Sequence, residues 1–143
     1  MILLDTNVVS DSWKPEPNPA VAAWLNAQPV HSLYLCTPVL AELRFGIEPL
    51  PHGRRRLFLE SWIARLEAEA FRDRILPLDS AAAAEFGRLA ARREKLGRRM
   101  QPMDALIAGI AASQGASLAT RDTSDFDNLG LDLINPFEAP PPS

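Results

Sequence analysis

The sequence predicts an α/β fold in which a short, mostly parallel sheet carries helices on both faces. Three observations lead there. Brief apolar runs, each too short for a helix, recur along the chain between longer stretches of helical periodicity, an alternation that calls for crossover connections. The first run, Ile2-Leu3-Leu4, has no polar alternation and suits a strand covered on both sides. Capping residues followed by proline stand where helices should begin, as in Asn18-Pro19 and Thr37-Pro38.

Bulk properties bound the rest. A chain of 143 residues with 47% hydrophobic content is expected to form one domain over residues 1–136, around a core that needs no covalent staples. The lone Cys36 falls in the apolar run Leu33-Tyr34-Leu35-Cys36 and reads as core, so no disulfide framework exists and a reducing compartment fits. No basic segment precedes the N-terminal run, which is far shorter than a signal sequence core or a membrane span; a soluble cytoplasmic protein without membrane contact is expected. A net charge of −3 gives no general argument for nucleic acid, but the cations cluster. Arg54, Arg55 and Arg56 form one group; Arg88, Arg92, Arg93, Lys95, Arg98 and Arg99 form another, against only Glu85 and Glu94.

Taken in order, Asp5 closes the first strand and can cap a short helix from Thr6 to Ser12, which the proline-rich stretch from Trp13 to Pro19 ends. Asn18 and Pro19 start the next helix; Val21, Trp24 and Leu25 form its apolar stripe and Pro29 closes it. A strand from Ser32 to Cys36 leads into a helix from Pro38 to Glu48, with Thr37 as cap, Val39, Leu43 and Ile47 on one row, and Glu42 one turn in. Residues 54–70 read as a helix with Leu57, Trp62, Ile63 and Leu66 available for packing. Its leading arginines oppose the helix dipole, so they face solvent or an anionic partner.

A third strand from Arg74 to Leu78 precedes an alanine-rich helix from Ala81 to about Arg99, capped by Asp79 or Ser80. Phe86, Leu89, Ala90 and Leu96 supply its buried side and the basic residues its exposed one. Between Gln101 and Gly115 the chain is apolar or glycine on every face from Ala105 to Ala112, the mark of an enclosed helix, and Asp104 is its only charge. Ala116 to Thr120 is a fourth strand and Leu131 to Ile134 a last edge strand. The proline-rich tail, residues 137–143, has nothing to fold around and is expected to be flexible.

Four acids lie at the exits of this scheme. Asp5 and Asp122 follow two strands, Glu42 sits early on the helix after another, and Asp104 heads the helix that feeds the fourth. Each alone has a local explanation as a cap or a match to the helix dipole. Ligands of open α/β sheets, however, gather outside the carboxyl ends of the strands, and one acidic pocket is more economical than four coincidences there. Crowded carboxylates raise one another's pKa unless a cation offsets them, and Mg²⁺ or Mn²⁺, which takes oxygen ligands and shares phosphates, is the natural partner. One cysteine with His31 and His52 offers no zinc spacing. A carboxylate-held metal, or a pair of them, can activate water against a phosphodiester. Thr6, Asn7 and Thr120 stand where they can hold the acids or the metal waters.

These residues carry a resemblance. Leu3-Leu-Asp-Thr-Asn7, Ala41-Glu42-Leu43, Met103-Asp104-Ala105-Leu106-Ile107-Ala108, and Ala119-Thr-Arg-Asp122 followed by Asp125-Phe126 resemble the PIN-domain ribonucleases, specifically the VapC-type toxins of bacterial toxin–antitoxin pairs and the similar FitB proteins. The match runs in order over nearly the whole chain. It implies a PIN-like three-layer fold and Mg²⁺- or Mn²⁺-dependent endoribonuclease activity on an RNA substrate. It further implies a homodimer, able to build a larger assembly with its antitoxin, and an antitoxin that blocks the active site. Residue by residue, it places Asp5, Glu42, Asp104 and Asp122 at the family's acidic positions, with Asp5, Asp104 and Asp122 as metal ligands and Asp125 competing with or assisting Asp122. Arg54, Arg55, Arg92, Arg93, Arg98 and Arg99 are candidates for phosphate contacts, though solvated arginines explain them as well. The alternative is a non-catalytic PIN-like module that binds RNA or a regulator. An aspartyl-nucleophile phosphatase would need a second acid where Asn7 stands, and Lys14 and Lys95 are poorly placed for it or for a receiver domain.

Overall fold

The computed structural model describes residues 1–138. Strand β1 (Ile2–Leu4) turns into helix α1 (Thr6–Ser10) with no loop, because Asp5 is extended (φ −74°, ψ 160°) and its carboxylate accepts the Thr6 N–H. A 3-10 turn over Asp11–Trp13 breaks off at the prolines, and Asn18 then accepts the Ala20 N–H to start α2 (Pro19–Ala27). Strand β2 (Leu33–Cys36) runs directly into α3 (Thr37–Ile47). Thr37 is therefore not the cap: pairing of Cys36 with Leu76 holds the strand extended through Cys36, and Thr37 is already the first helical residue.

Helix α4 (Arg54–Arg65) continues without a break into a wide π-type turn over Leu66–Ala70, closed by the Phe71 N–H on the Leu66 carbonyl at 2.9 Å, so the expected span is helical throughout but widened at its end. Strand β3 is only Ile75–Leu76, and Asp79 caps α5 (Ser80–Lys95) by accepting the Ala82 N–H. That helix stops short of Arg99 because Gly97 turns left-handed (φ 73°). Leu96, expected on the buried side, lies past the helix end and is 55% exposed. Helix α6 (Pro102–Gln114) ends on left-handed Gly115 and leads to β4 (Ser117–Ala119), a 3-10 turn over Thr123–Phe126, and β5 (Leu133–Ile134).

The five strands are all parallel, in the order β3-β2-β1-β4-β5. The chain steps outward from β1 through β2 to β3, then returns to the other side of β1. Right-handed crossovers place helices on opposite faces for the two halves, and the strand order reverses between β1 and β4. Open α/β sheets leave a crevice at such a point, outside the carboxyl ends of the two strands. Here those ends are Asp5 and Thr120, joined by the Asp5 N–H on the Ala119 carbonyl at 2.9 Å.

The core is apolar and continuous, from Leu3 and Leu35 in the sheet through Leu43, Ile63, Leu89, Ile107 and Phe126. In α4 the buried stripe is Leu59 and Ile63; Leu57, two residues off that row, points outward and is 66% exposed. Helices α5 and α6 approach closely at Gly109, where a Cβ would meet the Ala82 carbonyl at 2.8 Å and the Phe86 nitrogen at 2.9 Å. Burial pushes the Cys36 thiol up to about 12, so it is inert core. Phe137, expected in the tail, packs on the core under the Arg121 guanidinium and donates its N–H to Asn135. The remainder of that tail, residues 139–143, lies outside the described residues. Among the described residues no helix is long and apolar enough to cross a membrane.

Candidate active site at the carboxyl ends of β1 and β4

Asp5 is 5% exposed at the strand-order reversal, and three donors hold its carboxylate. Oδ1 accepts the Thr6 N–H at 2.8 Å; Oδ2 accepts the Thr120 hydroxyl at 2.7 Å and the Asn7 amide at 3.4 Å. Its pKa is nevertheless raised: burial outweighs the Thr120 and Thr6 hydrogen bonds, and the charges of Glu42 and Asp122 push in the same direction. Asp5 is thus both a helix cap and a member of an acid cluster, so the two readings of this residue are compatible.

The polar residues beside Asp5 organise the neighbouring acids. The Thr6 hydroxyl donates to Glu42 Oε1 at 2.7 Å, tying α1 to α3. The Asn7 amide donates to Asp122 Oδ2 at 3.0 Å, and its oxygen accepts the Arg121 N–H at 3.2 Å. The Thr120 hydroxyl, while donating to Asp5, accepts the Asp122 N–H at 3.1 Å. Thr6, Asn7 and Thr120 thus hydrogen-bond three carboxylates from distant parts of the chain, those of Glu42, Asp122 and Asp5.

Asp104 is the group the protein leaves uncompensated. It is the third residue of α6, half-buried, and among the described residues no side chain or backbone donor reaches its carboxylate. Burial pushes its pKa up to about 7, followed by the charges of Asp5, Asp125, Glu42 and Asp122. Asp125 weighs on Asp104 more than Asp122 does, whereas Asp122 is the one bonded through Asn7 to the Asp5 side.

The donor set suits a hard dication. It is all carboxylate oxygen, with neither exposed histidine near it. Among the described residues no three such side chains draw together tightly enough to enclose an ion unaided.

The arginines divide. Arg93 does not belong to the exposed basic face: it is 4% exposed, its Nη1 donating to the carbonyls of Asp125 at 3.0 Å and Asp127 at 3.1 Å, its Nε to that of Arg98 at 3.1 Å. The apolar row Ala82, Phe86, Leu89 runs at helical spacing straight into position 93, a signal that marked it as buried. Arg98 pairs with Asp127 at 2.7 Å and Arg55 donates to the Trp13 carbonyl. Arg54, Arg92 and Arg99 are exposed without an ion-pair partner among the described residues.

A model of the PIN domain matches residues 2–130. A VapC ribonuclease, Y4jK, of Sinorhizobium fredii is 45% identical over 141 residues, covering 96% of this chain and 99% of that protein. Toxin FitB of Neisseria gonorrhoeae is 34% identical over 137 residues, covering 96% and 99%. Among solved structures, FitAB bound to an IR36 DNA fragment superposes with a TM-score of 0.92 at 33% identity, covering 98% of each chain. With the domain match spanning four of the five strands, the crevice and all of its acids, the chain belongs to the PIN domain family.

Proposed function

We propose that this chain is a metal-dependent endoribonuclease acting as the toxin of a toxin–antitoxin pair. The observation that carries this reading is Asp104, a carboxylate without a donor, pressed by four other acids at the strand-order reversal. Relatives named as VapC ribonucleases and FitB toxin, and a neighbour solved as FitAB on DNA, support the toxin assignment. Asp5, Asp104 and Asp122 would hold Mg²⁺ or Mn²⁺, as one ion or two, with Asp125 assisting or replacing Asp122. The metal, when bound, supplies charge neutralisation at the phosphoryl group and lowers the pKa of a water nucleophile.

The protein's own part is positioning. Thr120 and the Thr6 N–H fix both oxygens of Asp5, and Asn7 keeps Asp122 at the rim. Thr6 holds Oε1 of Glu42, which leaves Oε2 free to accept a proton from a water approaching the phosphate. The antitoxin would silence the pocket by placing a cation among these acids, and a homodimer, enlarged by the antitoxin, is the assembly in which a cytoplasmic toxin of this kind would be stored.

Asp5→Asn tests the reading. It keeps the shape and one accepting oxygen, turns the other into an amide donor, and removes the charge at the centre of the cluster. RNA cleavage in Mg²⁺ or Mn²⁺ is expected to fall by about a thousandfold or more, on the scale of losing a principal group of a catalytic site. Circular dichroism should show an unchanged fold. Wild-type cleavage by this variant would overturn the mechanism, and a wild-type protein that binds RNA without cutting it would leave the non-catalytic module in its place.

A further inference from the structure

A cleft of about 680 Å³ lies between the last turns of α5 and the turn at Asn128, lined by Arg88, Ala91, Arg92, Lys95, Leu96 and Asn128. Arg88, Arg92 and Lys95 fall at i, i+4 and i+7, one face of the helix. No carboxylate lines the cleft. Arg88 pairs with Glu85, but Arg92 and Lys95 have no ion-pair partner among the described residues, unlike Arg44, Arg56 and Arg98. Leu96, also in the lining, offers exposed apolar surface beside these charges. The volume lies in the range of clefts that hold nucleotide-sized ligands.

The cleft is mechanically joined to the acid pocket. Buried Arg93 ties α5 to the carbonyls of Asp125 and Asp127, and Arg98 adds the Asp127 carboxylate and the Ser124 carbonyl. The segment carrying Asp122 and Asp125 on the pocket rim thus continues, three residues on, into Asn128 on the cleft wall. The pocket itself is a poor attractor of RNA, being crowded with negative charge. Unpaired cations next to it supply the opposite potential where flanking phosphates would lie.

Resting on the nuclease reading above, we propose that this cleft binds the phosphate backbone of single-stranded RNA next to the scissile bond, so that substrates must extend beyond the acid pocket to be bound well. The simpler account of Arg92 and Lys95 is that they match the C-terminal end of the α5 dipole. That account predicts a change in stability and none in RNA affinity.

The test is the double variant Arg92→Ala/Lys95→Ala, with cleavage of a single-stranded RNA of about 20 nucleotides compared with one of about 4, and binding of the longer RNA followed by fluorescence anisotropy on an Asp5→Asn background. KM for the longer RNA is expected to rise about tenfold with kcat unchanged, and the slope of log K against log salt to become shallower by about 1.4. Cleavage of the short RNA should be unaffected. Unchanged affinity for the longer RNA, or equal loss on both lengths, would overturn the proposal. Unchanged RNA binding with weakened antitoxin binding would overturn it too and assign the cleft to an acidic protein segment. In each case wild-type cleavage reports separately on the nuclease reading, which stands or falls on Asp5→Asn.

Discussion

Asp104 is a carboxylate whose burial among other acids costs stability, and the proposed function gives that cost a purpose. Its pKa, about 7 against an ordinary 3.8, means that the folded chain holds this proton more tightly than the unfolded chain does. The stability it contributes is fully present below the ordinary value and is lost as pH rises through about 7. In EDTA the melting temperature should therefore fall as pH rises from about 4 to about 7 and level off above that. Asp104→Asn should flatten that slope and raise the metal-free melting temperature at the alkaline end, while cleavage is lost. A slope unchanged by the substitution would mean that Asp104 is not the group under strain. Asp5 is raised in the same direction by burial, but the Thr120 hydroxyl and the Thr6 N–H offset part of that, whereas Asp104 has no such donor.

At the scale of elements, α5 and the 122–128 segment act as one piece through Arg93. Replacing it by methionine preserves the buried aliphatic stem but leaves the carbonyls of Arg98, Asp125 and Asp127 without their donor. We expect a loss of about 2–4 kcal/mol by thermal or urea unfolding. Activity should fall beyond what unfolding explains, because Asp122 and Asp125 ride on the released segment; full activity per folded molecule would show that the clamp serves stability alone. This residue also marks a boundary of what the amino-acid sequence discloses. Its place on the row of Ala82, Phe86 and Leu89 is a legible sign of burial, yet counting charge along the helix assigns it to the outside. Helix starts were readable where a side chain caps, at Asp5, Asn18 and Asp79. They were misplaced by one residue at Thr37, where strand pairing decides.

The strand order belongs to the whole molecule and is not written in any local stretch, since β1 chooses β2 and β4 as neighbours only when the entire sheet assembles. The acids at the four exits were visible in the sequence; that the crevice opens between β1 and β4, bridged by Thr120 and Asn7, follows only from the assembled order. That crevice gathers five carboxylates from residues 5 to 125, so a dication bound there links elements from both halves of the chain and should stabilise the fold as a whole. At a free Mg²⁺ or Mn²⁺ concentration about 100 times Kd, the gain is about 2.7 kcal/mol. For a chain of this size that corresponds to a rise in melting temperature of roughly 5–10 °C. The measurement should be made at fixed protein concentration, because any dimer couples stability to mass action. Asp104→Asn, already relieved of its repulsion, should show a much smaller rise on adding metal. Equal rises in the two proteins would place the ion elsewhere, and no rise in the wild type at millimolar Mg²⁺ or Mn²⁺ would remove the dication from the account of this pocket.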